Sequence, residues 1–216
     1  MSQTGSGNVK VMFDRCRAGL GNWVKSQESF QMKMIEIRWH GRGGQGGVTS
    51  AELLAKAAYI DGYKGVQAFP YFGAERRGAP VKAFTRIADE EINVRSQIYT
   101  PDVVAVLDSS ILDIIDVTEG LVENGKVIVN SPKKPDELAL PRGHVYTYDG
   151  TGIALKNGLL VGGLPVINTT MLGAFAKATG LVKLETVQKV ICEKWSGKVG
   201  ERNAQGAKEA YDTCTD

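Results

Sequence analysis

The chain has 216 residues, 43% hydrophobic and 23% charged, with a formal net charge of +2. This is the composition of an ordinary globular domain, and the near-neutral charge excludes the basic excess that non-specific nucleic-acid binding requires. Its three cysteines, Cys16, Cys192 and Cys214, form no CxxC or other ligand cluster, so the chain alone builds no iron–sulfur centre or structural zinc site.

Residues 1–33 carry Lys10, Arg15, Arg17 and Lys25 with Asp14 and Glu28, and no apolar stretch of a secretory signal follows. Met1 to Asn8 is polar and glycine-bearing and reads as disordered. Strong patterning begins at Met34, itself a good start site. The expectation is therefore a partly disordered extension over 1–33 and a single α/β domain over 34–216. No apolar run approaches the roughly 18 residues of a membrane span.

Ile35 to His40 alternates apolar and polar residues, as a strand does. A glycine-rich turn, Gly41 to Gly47, follows. Val48 to Tyr59 reads as a helix ended by Gly62, with Val48, Leu53, Leu54, Ala57, Ala58 and Ile60 near one face. Val66 to Phe69 is a short strand closed by Pro70, and Tyr71 to Pro80 a loop. Val81 to Ile87 alternates again, and Ile92 to Arg95 is expected to pair with it as a hairpin. Asp102 to Leu107 holds a nearly continuous apolar run, suited to a strand covered on both faces. A helix is expected over Ser109 to Glu119, strands at Lys126–Val129 and Val145–Tyr148, and helices over Asn168–Thr179, Leu184–Lys194 and Ala204–Tyr211. The fold class expected is α/β: a mainly parallel, Rossmann-like sheet with helices on both faces and an antiparallel hairpin excursion.

Gly41, Gly43 and Gly46 match G-x-G-x-x-G between a first strand and a first helix, where a helix N-terminus favours an anion. A dinucleotide site also wants an acid at the end of the second strand. Here that strand ends Gln67-Ala68-Phe69-Pro70, and Asp61 precedes it. A nicotinamide or flavin site is therefore disfavoured. The turn is left either to a phosphate of another ligand or to packing against its own sheet or a neighbouring subunit. Arg42 and Gln45 lie between the glycines, and Arg42 offers a planar fork to an anion.

The segment Ile35–Val48 resembles the opening of the gamma subunit of 2-oxoacid:ferredoxin oxidoreductases. The likeness continues through Val66–Pro80 (VQAFPYFGAERRGAP), Pro101–Val104 and Asn168–Ala174 (NTTMLGA). It covers roughly 34–195 and is closest to the pyruvate-specific branch. The resemblance implies an enzyme that decarboxylates a 2-oxoacid on thiamine diphosphate with Mg, passes electrons through 4Fe–4S clusters to ferredoxin, and releases an acyl-CoA, or runs in reverse. It implies alpha, beta and delta partner subunits: thiamine held by alpha and beta, clusters by beta and delta. The gamma chain is implied to help close the site and admit coenzyme A, holding no cofactor alone. The partners implied include neither nucleic acid nor membrane, and the location is cytoplasmic. The candidate cofactor-facing set is Gly41, Arg42, Gly43, Gly44, Gln45, Gly46 and Asp108. Two other classes stay open, a free-standing nucleotide-binding oxidoreductase and a non-catalytic interaction module.

The remaining candidates have competing readings. Phe72, Glu75, Arg76 and Arg77 place charge among aromatics, the composition of a subunit contact, although a solvated loop or a ligand contact has the same composition. Asp108 follows the apolar strand at its carboxyl end, where α/β sheets bind ligands, and equally suits an N-cap. Asn168, Thr169 and Thr170 suit caps of the Met171 helix. His40 reads as a structural histidine before an acid–base group, and His144 has no evident partner. No serine, cysteine or paired carboxylate forms a catalytic constellation.

Overall fold

A computed structural model of the chain describes residues 34–71 and 78–216. The expected extension over 1–33 and the expected contact residues Phe72, Glu75, Arg76 and Arg77 lie outside the described residues.

Six strands form one mixed sheet: β1 (Met34–Arg42), β2 (Gly65–Pro70), β3 (Pro80–Ala88), β4 (Val103–Val106), β5 (Lys126–Asn130) and β6 (His144–Tyr148). Their order is β2-β3-β1-β4-β5-β6. From β1 to β6 all neighbours run parallel, whereas β3 is antiparallel to both β1 and β2. Among the described residues there are five α-helices, in chain order α1 (Gly47–Ile60), α2 (Gly150–Lys156), α3 (Asn168–Thr179), α4 (Leu184–Lys194) and α5 (Lys198–Thr213). A small hairpin, β7 (Leu160–Val161) with β8 (Leu164–Pro165), stands between α2 and α3.

Strand periodicity divides the core in two, because successive side chains leave opposite faces. Ile37, Trp39, Ala105, Leu107 and Ile128 enter the larger cluster with residues of all five helices. Val104, Val106, Val127 and Val129 enter the smaller one. The apolar run of β4 is thus explained as expected, by burial on both faces. In the larger cluster Trp39 stacks on Phe175 at 5.7 Å and donates from Nε1 to Thr85 at 3.0 Å. α3 lies against α5 closely enough that a Cβ on Gly173 would stand 1.8 Å from the Ala207 carbonyl oxygen.

The α/β class and mainly parallel sheet stand as expected, and three local expectations are corrected. First, among the described residues, α-helices cover one face only. Among the described residues the second face is covered by 3-10 turns at Ser109–Ile111 and Pro135–Leu138 and by the turns between Leu112 and Leu121. Second, the helix expected over Ser109–Glu119 stops after Ile111. Asp116 draws the Thr118 amide and hydroxyl to its own carboxylate at 2.8 and 2.6 Å, a local turn that competes with helix. Arg38 Nη2 takes the carbonyls of Val117 and Glu119 at 3.0 and 2.6 Å. Third, the excursion does not pair Val81–Ile87 with Ile92–Arg95. β3 is already flanked by β1 and β2. The 92–95 segment lies beside the sheet, its Ile92 carbonyl accepting from Gln67 at 3.1 Å.

Candidate functional site

β1 runs two residues beyond the expected His40, through Gly41 and Arg42. The turn proper is therefore Gly43 to Gly46, and α1 starts at Gly47. Within it Gly44 and Gly46 hold φ of 96° and 81°, conformations that side-chain-bearing residues rarely adopt. Gly46 has a second reason to be glycine. A Cβ there would stand 2.8 to 3.2 Å from the side chain of Asn168. Asn168 opens α3, and its carbonyl accepts from Ser50 Oγ at 3.1 Å.

The far side of the turn is stitched to the end of the aromatic loop. Gly43 N donates to the Ala79 carbonyl at 2.9 Å, and Gly78 N to the Gly43 carbonyl at 3.3 Å. Three segments distant in sequence, 41–47, 78–80 and 168–174, thus meet at the carboxyl ends of the parallel strands. Open α/β sheets bind ligands beyond such ends.

Asp108 organises this meeting point. Its Oδ2 accepts from Arg42 Nε at 3.1 Å and Gln45 Nε2 at 2.8 Å. Its Oδ1 accepts from Ser110 N at 3.0 Å and Ser110 Oγ at 2.6 Å, so it also caps the 3-10 turn. Four bonds use the acceptor capacity of a carboxylate. Partial burial pushes the Asp108 carboxyl up, but hydrogen bonds from Ser110 and Gln45 and the Arg42 charge outweigh it and hold the group below its ordinary value. Gln45 closes the turn from the other end, its Oε1 accepting from Arg42 N at 2.7 Å. Arg42 also donates from Nη1 to the Gly78 carbonyl at 3.0 Å and from Nη2 to Ser110 Oγ at 2.8 Å. Among the described residues, two of the five guanidinium N–H groups take no partner.

A cleft of about 930 Å³ opens over this network. One wall is polar: Arg42, Gly43, Gly44, Gln45, Asp108 and Asn130. The opposite wall is apolar: Val161, Leu164, Pro165, Val166 and Ile167. Of the residues expected to face a ligand, Arg42, Gly43, Gly44, Gln45 and Asp108 line the cleft. Gly41 lies behind it in β1 and Gly46 against Asn168. The Leu160–Pro165 hairpin was missed, although its Leu-Val-Gly-Gly-Leu-Pro sequence carries the two-residue Gly-Gly turn signal between apolar pairs.

The helix-cap expectation for Asn168, Thr169 and Thr170 does not hold. The cap position is Ile167, without a side-chain bond, and all three residues are buried inside α3. Thr170 Oγ1 turns back to the Ile167 carbonyl at 2.9 Å, and Thr169 Oγ1 donates to Asn203 at 2.8 Å. His40 lies on the second face of β1, buried, with neither ring nitrogen partnered among the described residues. Burial and the neighbouring charges of Arg38 and Lys82 push its pKa down to about 3. It stays neutral near pH 7, so it does not offer the imidazolium form that acts as a general acid there. Cys214 is also buried, and burial pushes its thiol up to about 11. Among the described residues no group of three or more His, Cys, Asp or Glu side chains could hold a metal ion. No helix among them is long and apolar enough to cross a membrane.

Comparison with known proteins gives a consistent set of likenesses. Residues 36–213 match the family described as pyruvate ferredoxin/flavodoxin oxidoreductase. The "Pyruvate/ketoisovalerate oxidoreductases common subunit gamma" of Thermococcus kodakarensis is 58% identical over 183 residues, covering 83% of this chain and 96% of that protein. The "Pyruvate synthase subunit PorC" of Methanocaldococcus jannaschii is 54% identical over 179 residues, with coverage of 83% and 96%. Among solved structures, the pyruvate oxidoreductase subunit PORC of Thermotoga maritima superposes with a TM-score of 0.73 at 36% identity, covering 85% of this chain and 99% of that one.

Proposed function

We propose a role for this chain from the premise that it belongs to the pyruvate ferredoxin/flavodoxin oxidoreductase family, as the gamma subunit of a multi-subunit pyruvate or related 2-oxoacid:ferredoxin oxidoreductase. The reaction is the oxidative decarboxylation of a 2-oxoacid. The carboxyl group leaves as carbon dioxide, the acyl group is joined to coenzyme A as a thioester, and the electrons released go to ferredoxin. The same steps reversed fix carbon dioxide. In this reading alpha and beta subunits hold thiamine diphosphate and Mg, and beta and delta subunits hold the 4Fe–4S clusters. A cluster of that kind takes four thiolates. This chain has three cysteines, and burial disfavours the thiolate of Cys214. The isolated chain is inactive. The complex resides in the cytoplasm, where unpaired thiols such as Cys192 and Cys214 stay reduced.

The part of this chain is to help close the site and to receive coenzyme A in the cleft. The observation that carries this is a cleft beyond the carboxyl ends of β1, β4 and β5 that the glycine turn and Gly78 line together, with the Asn168 motif packed behind the turn at Gly46. Its volume is that of an ordinary small-molecule site. The cap of α1, Gly46, supplies no side-chain bond, so the helix N-terminus turns its positive end towards the turn unneutralised. Arg42 adds two N–H groups that take no partner among the described residues. Asp108 does not receive the ligand, since its acceptor positions are filled; it holds Arg42 and Gln45 in place. The same saturation leaves nothing there for a ribose hydroxyl, which speaks against a free-standing dinucleotide enzyme.

The test is Arg42→Ala in the assembled enzyme. Loss of a charge-assisted bond to an anionic ligand should raise KM for coenzyme A about tenfold or more. KM for the 2-oxoacid should stay unchanged and the complex intact on gel filtration. Unchanged assembly and unchanged kinetics would contradict the reading.

A further inference from the structure

The hairpin that forms the apolar wall of the cleft is anchored at its base and free at its tip. At the base the Val166 amide donates to the Leu159 carbonyl at 2.8 Å, and the Leu159 amide to the Ala154 carbonyl at 2.8 Å. Leu159 and Ile167, which flank the hairpin, are buried in the larger core cluster. At the tip Gly162 and Gly163 both hold positive φ, 58° and 79°, the geometry of a two-residue reversal. A Cβ built on either would meet nothing within 4 Å, so the tip stands clear of the body.

Its side chains are the wrong kind for a solvated projection. Val161 is 71% exposed and Leu164 59%, and the two are paired across the hairpin. Both face the cleft. A pair of two-residue strands has little stability of its own, and segments of this kind come from the low-stability end of a fold. In the polar wall opposite, Asp108 is saturated and Asn130 is bonded to the Leu107 carbonyl and to Thr151, which leaves Arg42 with N–H donors to spare among the described residues. The cleft is thus two-sided, and one side is an exposed apolar hairpin tied to the body only at its base.

We infer that the β7–β8 hairpin is a lid whose Val161 and Leu164 fold onto the carbon skeleton of the ligand in the cleft and position it. The inference rests on the reading that coenzyme A enters this cleft. The polar turn and Arg42 then take the anionic and hydrogen-bonding groups, and the lid takes the uncharged arm, which offers the methyl and methylene surface that valine and leucine can bury. Val161 and Leu164 are positioning residues, acting through ligand contact and excluded water with no part in bond making.

The experiment uses the assembled enzyme with V161S/L164S, alongside wild type and Arg42→Ala. The expected result for the double variant is a rise of roughly tenfold in KM for coenzyme A, the scale set by a few lost apolar contacts, with KM for the 2-oxoacid and kcat at saturating coenzyme A retained. Hydrogen exchange should show the 159–166 amides of wild type protected on adding coenzyme A, and this protection lost in the double variant. Unchanged KM for coenzyme A in V161S/L164S, with a raised KM in Arg42→Ala, overturns the lid and leaves the cleft reading standing. If neither variant changes it, both fall. Loss of co-purifying subunits in the double variant also overturns the lid, because the hairpin is then a subunit contact. Both substituted side chains are exposed, and an unchanged thermal melt of the variant chain separates these outcomes from misfolding.

Discussion

On the helix side of β1, Ile37 and Trp39 enter a continuous apolar cluster; one residue along, Arg38 and His40 point the other way and are buried as completely. The first side is held by shape. Trp39 lies on Phe175, and α3 and α5 touch backbone to backbone at Gly173. The second side is held by specific acceptors. Arg38 reaches the carbonyls of Val117 and Glu119, and Arg86 pairs with Glu36 at 2.8 Å beneath the ring of Phe69. The difference teaches why one side carries regular helices and the other turns. A helix keeps its carbonyls for itself, whereas buried arginines need carbonyls offered to them, and an irregular backbone can offer them.

If that contrast is right, substitutions on the two sides behave differently. The largest effect is expected for Trp39→Ala, which empties the centre of the larger cluster. It should cost about 3–5 kcal/mol and lower the melting temperature by roughly 10 °C, read by thermal denaturation. Gly173→Ala comes next. The added methyl meets the Ala207 carbonyl, which is backbone and cannot swing aside. A loss of about 1–3 kcal/mol follows, and a denaturant midpoint equal to wild type would show that α3 and α5 do not pack as described.

The smallest effect is expected for His40→Leu, although His40 is as buried as Trp39. Replacing a polar ring that has no hydrogen-bond partner among the described residues by an apolar side chain is nearly neutral or stabilising, so the change at pH 7 should stay within about 1 kcal/mol. A loss as large as that of Trp39→Ala would erase the contrast between the two faces. The pH dependence sharpens it. The ordinary histidine pKa is 6.5 and that of folded His40 about 3. Below 6.5 the unfolded chain takes up a proton that the folded one refuses. Stability present above 6.5 is thus lost as pH falls towards 3, by up to about 1.4 kcal/mol per pH unit. Denaturant melts between pH 7.5 and 4.5 should show a shallower acid loss for His40→Leu than for wild type.

What the sequence made legible follows the same division. Alternation over Ile35–His40 and the solid run Val103–Leu107 depend on burial by near-continuous apolar patterns, and both strands stand where expected. The residues 112–119 were unreadable as turns because their carbonyls serve Arg38, about eighty positions away in the chain. The strands around the cleft were legible but not their ends, since β1 runs on through Gly41 and Arg42 and β5 through Asn130, and the role of Asp108 was only half visible. Its cap on Ser110 is local and follows from sequence, but its grip on Arg42 and Gln45 exists only once β1 and β4 lie side by side. The packing of Asn168 on Gly46 is likewise a tertiary fact, joining two motifs that sequence sets 122 positions apart.

On the reading proposed above, the gamma chain receives coenzyme A between its glycine turn and its apolar hairpin. The most direct measurement is a structure of the purified multi-subunit enzyme with coenzyme A bound. Ligand density is expected in the cleft bounded by Gly43–Gln45 on one side and Val161–Pro165 on the other. Coenzyme A seated elsewhere, with this cleft filled by a neighbouring subunit, would contradict it.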